Sequence, residues 1–188
     1  MSTILDIPGV RERISRLSVE EYHRLDEYNE NGRRTELIRG IVIEKMSKSP
    51  LHSALAKRLY DLIARLLPPG FVIRREDPLT LADSEPEPDV AVVEGDEADF
   101  FQTHPSTASL VIGVAVSSAA LDREYARLYA EAGVKEYWIV LAETQQIEIY
   151  RNPHAGVYRE KVVVAIPDSI ECSSIPNVSI SLAAVFSR

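Results

Sequence analysis

Two carboxylates flank Pro88 in a short acidic segment in which proline alternates with other residues. Glu87 and Asp89 lie on either side of that proline, and the prolines keep the chain before Asp89 extended. The apolar residues Val90 to Val93 follow, and an acid at the start of a buried strand needs a partner to offset its burial. In a continuous strand Glu87 and Asp89 would point to the same side, although Pro88 leaves that register open. Because divalent cations such as Mg²⁺ select carboxylate oxygens, the two carboxylates are candidate metal ligands.

Four further side chains are candidate site residues. Glu36 lies on a short predicted strand beside an arginine-rich turn, where an acid is either a metal ligand or part of a surface ion pair. Arg123 and Arg127 are candidates to bind a substrate phosphate, although arginine stays protonated and is a poor proton acceptor. His52 lies early in a predicted helix, a position more typical of a structural or solvated histidine than of a catalytic one.

The elements that would carry these side chains predict one mixed α/β sheet flanked by helices. A capping box that begins at Ser18 predicts a helix to about Tyr28, and Arg39-Gly40 predicts the turn of a β-hairpin. Ser49-Pro50 predicts the start of a longer helix. Its predicted core-facing residues are Leu51, Leu55, Leu59, Leu62 and Leu66. Further strands are predicted at 71–74, 79–81, 90–93, 110–116, 136–141, 147–151 and 157–166, and further helices at 122–132 and 182–186.

The composition is that of an ordinary globular protein. The chain has 188 residues, of which 45% are hydrophobic and 27% charged. We expect a single domain over residues 1–188, with residues 1–16 as an N-terminal arm. No run approaches the roughly 20 apolar residues of a membrane helix, and the opening residues do not resemble a secretory signal. The expectation is therefore a cytoplasmic protein without a membrane partner.

The charge of the chain restricts its function classes. A net charge of -8 argues against a general nucleic-acid binder, since such proteins neutralise phosphates with clustered Lys and Arg. A nuclease remains compatible, because carboxylates that hold cations are themselves negative. Arg11, Arg13 and Arg16 are either solvated surface charge, which is the default, or local contacts to a nucleic-acid backbone. The single cysteine, Cys172, and four scattered histidines give no structural zinc pattern.

Four sequence strings occur in an order that matches a known family: Glu36 to Gly40, His52, Glu85 to Val90, and Ala132 to Val140. Over about Leu17 to Phe186 the chain resembles the bacterial family catalogued as "putative restriction endonucleases", a domain of unknown function similar to the PD-(D/E)XK nucleases. The resemblance implies a restriction endonuclease-like fold, Mg²⁺-dependent hydrolysis of nucleic acid, and often a homodimer. It implies catalytic roles for Asp89 and Glu36, and the candidate metal ligands are Asp89, Glu36 and Glu87.

The resemblance also shows an incomplete catalytic set. Gly113 stands where the family pattern has Glu, and Ala115 stands where a following Lys is expected. A Lys on the next helix is missing too, with Ala126 in that region, and Leu141 stands where an Asp is typical. These departures fall on or beside the predicted site.

Two functions remain open from the sequence alone. The first is a metal-dependent endonuclease with weakened activity, and the second is an inactive relative that serves as a binding or dimerisation module. A third, more generic hypothesis is an assembly protein. A homodimer is expected, because closed two-fold assembly is the commonest oligomer.

Overall fold

The part of the chain that can be described comprises residues 7–26, 32, 34–45, 47–116 and 119–187 of the computed structural model. The described residues divide into two compact units: those up to Lys45 together with residues 82–85, and those of 47–81 together with those from Pro86 onward. The prediction of a single domain stays a prediction. Among the described residues, no helix is both long and apolar enough to cross a membrane.

The first unit contains two helices and a β-hairpin. Helix α1 spans Pro8–Arg11, α2 spans Val19–Asp26, β1 spans Thr35–Ile38 and β2 spans Ile41–Glu44. The predicted capping box is confirmed, because Ser18 N donates to Glu21 Oε2 at 2.8 Å and Glu21 N donates to Ser18 Oγ at 3.2 Å. The predicted end of α2 near Tyr28 lies outside the described residues.

The hairpin turn requires glycine at one position. Gly40 has φ +74°, and a Cβ added there would lie 2.6 Å from Arg16 Cβ and 2.9 Å from the Leu17 carbonyl oxygen. Backbone bonds run from Leu17 N to Gly40 O and from Gly40 N to Asp83 O. The predicted hairpin is therefore confirmed, and the absence of a side chain at Gly40 lets two neighbouring segments approach it.

The second unit is built on one mixed sheet. Within the described residues this sheet has six strands in sequence order: β3 Phe71–Arg74, β4 Val90–Glu94, β5 Leu110–Ala115, β6 Glu136–Leu141, β7 Gln146–His154 and β8 Val157–Ala165. β5 and β6 are parallel, and the other neighbouring pairs of this sheet are antiparallel. Helix α4, Ala119–Glu131, connects the parallel pair as a crossover.

Helices cover both faces of the sheet. Helix α3, Pro50–Ala64, packs Leu55, Leu59 and Ile63 into the same core as Trp138 of β6. Tyr137, the residue before Trp138, instead contacts Tyr129 of α4, with ring centroids 4.8 Å apart. Successive residues of a strand point to opposite faces, so a strand covered on both sides is apolar throughout. The predicted mixed sheet flanked by helices is confirmed.

Some predicted details of the second unit are wrong. Leu51 is 50% exposed and Leu66 is 38% exposed, because Leu51 lies in the first turn of α3 and Leu66 lies beyond its end. Residues 79–81 form no strand, although Leu79 and Leu81 are buried. A small antiparallel pair, β9 Ser169–Glu171 and β10 Ser179–Ser181, was not predicted, and the helix α5, Leu182–Phe186, was.

Candidate active site

Asp89 lies immediately before β4 and is held by groups from three parts of the second unit. Its Oδ2 accepts a hydrogen bond from Val114 N of β5 at 2.8 Å and lies 3.2 Å from His52 Nε2 of α3. Its Oδ1 accepts from Lys48 Nζ at 3.1 Å. The Asp89 side chain is 12% exposed. A carboxylate this buried would be costly without such donors, and here both of its oxygens have them.

Lys48 connects Asp89 to a second acid. Its Nζ lies 3.1 Å from Glu76 Oε1, the same distance as to Asp89 Oδ1, and its side chain is 20% exposed. Glu76 lies in the turn after β3 with φ +59°, a conformation that is uncommon for a residue with a side chain. Its backbone N donates to the carbonyl of Pro88 at 3.2 Å. The turn that carries Glu76 is thus bonded to the residue that precedes Asp89.

The start of α3 positions the two basic neighbours of Asp89. Ser49 is the N-cap of this helix, and its Oγ accepts from His52 N at 3.2 Å. Lys48 precedes that cap and His52 follows it by three residues, so the capping bond fixes the turn that carries His52, and Lys48 adjoins that turn. Burial alone would raise the pKa of Asp89, but the contacts with His52, Lys48 and Val114 N lower that pKa below its ordinary value. Asp89 is therefore ionised at neutral pH.

A carboxylate lies beside Gly113, the position at which the sequence resemblance predicts an acid. A Cβ added at Gly113 would lie 3.0 Å from Asp122 Oδ1 and 3.2 Å from Tyr137 Oη. The Tyr137 hydroxyl donates to the Asp122 carbonyl at 3.0 Å. Burial raises the pKa of the Tyr137 phenol well above its usual value, and the Asp122 carboxylate adds to that rise. An acid from α4 thus lies beside Gly113, where the family pattern has an acid on β5.

The other departures from the family pattern place no charge at the site. Ala115 is buried at the end of β5, in register with Leu141 of β6, and Ala126 is buried on α4. Neither alanine can supply the missing lysine. Among the described residues of the second unit, Lys48 is the lysine that contacts Asp89.

The predicted acidic residues belong to different elements of the chain. Glu36 lies on β1 in the first unit, is 8% exposed, and has Lys45 Nζ 4.0 Å from its Oε2. Glu87 lies in the second unit, but β4 begins at Val90, so Glu87 and Asp89 do not share the continuous strand that would point both side chains to one side. Pro88 lacks the amide hydrogen that a strand ladder uses. The metal-binding roles of Glu36 and Glu87 stay predictions.

Both predicted phosphate-binding arginines have acidic partners in the second unit. Arg123 donates through Nε and Nη2 to the Glu148 carboxylate, with Nη2 to Oε1 at 2.7 Å. Arg127 Nε donates to Glu131 Oε1 at 2.9 Å, four residues along the same helix, and its side chain is 75% exposed. Substrate binding by either arginine stays a prediction and would compete with these ion pairs.

The Glu148 cluster gives a prediction for the pH dependence of stability. Lys161 Nζ lies 2.9 Å and Tyr150 Oη 2.8 Å from Glu148 Oε2, while Glu148 itself is 4% exposed. Hydrogen bonding to Arg123 outweighs burial and lowers the pKa of Glu148 to about 2. Since Arg123 and Lys161 are half-exposed and would rehydrate, Glu148→Gln is expected to lower the unfolding free energy at pH 7 by about 1–2 kcal/mol.

The sign of this pH effect follows from the lowered pKa. Ionised Glu148 stabilises the fold above its ordinary pKa of 4.5, and this contribution is lost as the pH falls toward 2. Urea unfolding of the wild type and of Glu148→Gln between pH 7 and pH 2 measures the effect. The difference between the two proteins should shrink over that range, and a difference independent of pH would contradict the assigned cause.

The donor set around Asp89 fits one hard cation held by two carboxylates. Lys48 Nζ lies between Asp89 Oδ1 and Glu76 Oε1, so a positive charge is already stabilised there. Mg²⁺ commonly takes one or two carboxylates and fills its other positions with water and phosphate oxygens. Within the described ranges, no three His, Cys, Asp or Glu side chains are grouped to hold a metal. Asp89 and Glu76 would therefore be the two carboxylate ligands of such a cation.

Sequence reasoning did not identify Lys48 or Glu76. Both lie in connecting segments, where no periodicity predicts which side chains meet. A partial signal was present, since Lys48 adjoins the Ser49-Pro50 pair that predicted the start of α3.

Comparisons with known proteins agree with the predicted fold. The model of the Uma2 family, described as "Putative restriction endonuclease", matches residues 19–183. A similar solved structure is that of "a putative nuclease belonging to DUF820" from Anabaena variabilis, with 19% identity and a TM-score of 0.77. The similarity covers 91% of this chain and 98% of that one. No match was found among curated proteins. The restriction endonuclease-like fold is thereby confirmed.

Proposed function

The chain belongs to the Uma2 family of "putative restriction endonucleases", and from this premise we propose that it hydrolyses nucleic-acid phosphodiesters at a site centred on Asp89. The contact between Asp89 and Lys48 carries the proposal. Phosphodiester hydrolysis needs an acid that binds a cation and a positive group near the phosphate. Those two groups adjoin here, although the sequence lacks a lysine at both expected positions.

The chain's own residues would divide the work as follows. Asp89 and Glu76 would hold the divalent cation, which polarises the phosphate and lowers the pKa of an attacking water when it is bound. His52 and Val114 N keep Asp89 ionised and fix its orientation. Lys48 would place its ammonium group near the phosphate oxygens. A flexible four-carbon side chain that starts beside a capped helix turn can reach more than one partner.

An inactive relative remains the second candidate function. The observations in its favour are Gly113 and Ala115 at positions where the family pattern has charged groups, and the N–H donors at both oxygens of Asp89. Such a protein would use the fold for binding or dimerisation without cleavage. The same assay separates the two candidates.

The test is hydrolysis of end-labelled single-stranded DNA, double-stranded DNA and RNA with Mg²⁺ or Mn²⁺. We expect cleavage that EDTA abolishes and that Asp89→Ala lowers at least about 100-fold, since the variant loses the central acid. Asp61→Ala is the matched control, because Asp61 also lies in the second unit but pairs with Lys57 on the surface of α3. Equal rates in wild type and Asp89→Ala would contradict the proposal and favour the inactive relative.

A further inference from the structure

Lys48 occupies the place where a cation between Asp89 and Glu76 would be bound. Its Nζ lies 3.1 Å from one oxygen of each carboxylate. All three side chains are mostly buried, at 20%, 12% and 23% exposure for Lys48, Asp89 and Glu76. Without a positive charge between them the two carboxylates would repel each other in a poorly hydrated site. The ammonium group of Lys48 therefore supplies the positive charge that a bound cation would supply.

A divalent ion and Lys48 would need the same oxygens. Asp89 Oδ1 is the atom that Lys48 contacts, whereas Asp89 Oδ2 is engaged by Val114 N and lies near His52. A hard cation binding at Asp89 Oδ1 and Glu76 Oε1 must move the ammonium group away. The displaced Lys48 would still be tethered next to the N-cap of α3, and a phosphate oxygen is a natural acceptor for it.

We propose that Lys48 is a displaceable cation: it competes with the divalent ion for Asp89 and Glu76, and on displacement it becomes the lysine that contacts the substrate phosphate. The second half of this inference rests on the proposed hydrolysis, whereas the competition concerns the protein and metal alone. The inference assigns to Lys48 the role of the lysine that the sequence resemblance predicts at Ala115 or in the region of Ala126.

Other basic residues of the second unit fit this role less well. Arg123 and Arg127 have carboxylate partners of their own, Glu148 and Glu131. Lys135 pairs with Glu94. This pair lies at the C-terminal end of β4 and the N-terminal end of β6, whereas Asp89 precedes the N-terminal end of β4. Arg75 Nη2 also lies 3.5 Å from Glu76 Oε1, whereas Lys48 contacts both Glu76 and Asp89.

The experiment measures Mn²⁺ affinity by calorimetry, without nucleic acid, for the wild type, Lys48→Met and Lys48→Arg. Lys48→Met keeps an unbranched side chain but removes the charge, and it is expected to bind Mn²⁺ at least about 10-fold more tightly than the wild type. Lys48→Arg retains the charge and is expected to bind Mn²⁺ about as weakly as the wild type. Adding Asp89→Ala or Glu76→Gln to Lys48→Met should remove the gain.

The rate of hydrolysis by Lys48→Met at saturating Mn²⁺ tests the proposed contact between Lys48 and the substrate phosphate. This rate should be at least about 50-fold lower than that of the wild type. Tighter Mn²⁺ binding together with this loss supports the inference. If Lys48 only formed a structural ion pair, its removal would weaken both Mn²⁺ binding and hydrolysis. Unchanged or weaker Mn²⁺ binding by a folded Lys48→Met overturns the competition. Unchanged hydrolysis overturns the phosphate contact. If the wild type cleaves nothing, the proposed function fails, while tighter Mn²⁺ binding by Lys48→Met would still establish the competition.

Discussion

Glu136→Ala is expected to lower the free energy of unfolding by about 3–5 kcal/mol, because it leaves the buried Trp138 indole N–H and the donors of three partly covered partners without their acceptor. Glu136 begins β6 and is 1% exposed. Its Oε2 accepts from Trp138 Nε1 at 2.9 Å and lies 3.2 Å from Arg151 Nε. Its Oε1 accepts from Ser174 N at 3.0 Å and from Ser173. The Glu136 carboxylate thus connects the segment between β9 and β10 to the main sheet through hydrogen bonds.

The measurement is urea unfolding at pH 7, with Glu143→Ala as the control. Glu143 is an exposed acid in the turn after β6, and its replacement should change stability by less than about 0.5 kcal/mol. Glu136→Gln should lower the free energy of unfolding by an intermediate amount, about 2 kcal/mol. The amide oxygen of glutamine still accepts from one donor, whereas its NH₂ group faces the remaining donors. A loss of under about 1 kcal/mol in Glu136→Ala would show that the serine segment detaches from Glu136 at little cost.

Local patterns predicted the elements that local chemistry determines. The Ser18 capping box, the Arg39-Gly40 turn and the Ser49-Pro50 helix start all form as predicted, because each depends on atoms a few residues apart. The apolar runs became β5 and β6 for a similar reason, since a strand covered on both faces is apolar throughout. The buried indole N–H of Trp138 needs a hydrogen-bond partner, and Glu136 provides one.

The candidate site was predicted less completely, because it depends on contacts between distant segments. Asp89 was identified by its place before an apolar strand, whereas Lys48 and Glu76 reach it from two connecting segments. Residues 79–81 show the same limit, since Leu79 and Leu81 are buried without pairing in a strand. Apolar composition predicts burial, but strand pairing also needs a neighbour with matching backbone groups.

Gly113→Glu, which restores the acid of the family pattern, is expected to destabilise the protein by about 3 kcal/mol. A Cβ at this position would already lie 3.0 Å from Asp122 Oδ1 and 3.2 Å from Tyr137 Oη. The new carboxylate would add repulsion with Asp122 beside the fully buried Tyr137 ring. Gly113→Ala introduces the steric part alone and should cost about 1–2 kcal/mol.

The double variant Gly113→Glu/Asp122→Ala decides whether the two acids exclude each other. Removing the Asp122 carboxylate vacates the space that the introduced glutamate side chain would enter, so the double variant should recover at least about half of the lost stability. Urea unfolding of both single variants and the double variant gives the coupling energy. Additive losses would mean that Asp122 is not what prevents an acid on β5. A coupling of about 1–2 kcal/mol would instead show that the Asp122 carboxylate competes with an acid side chain at position 113 for the same space.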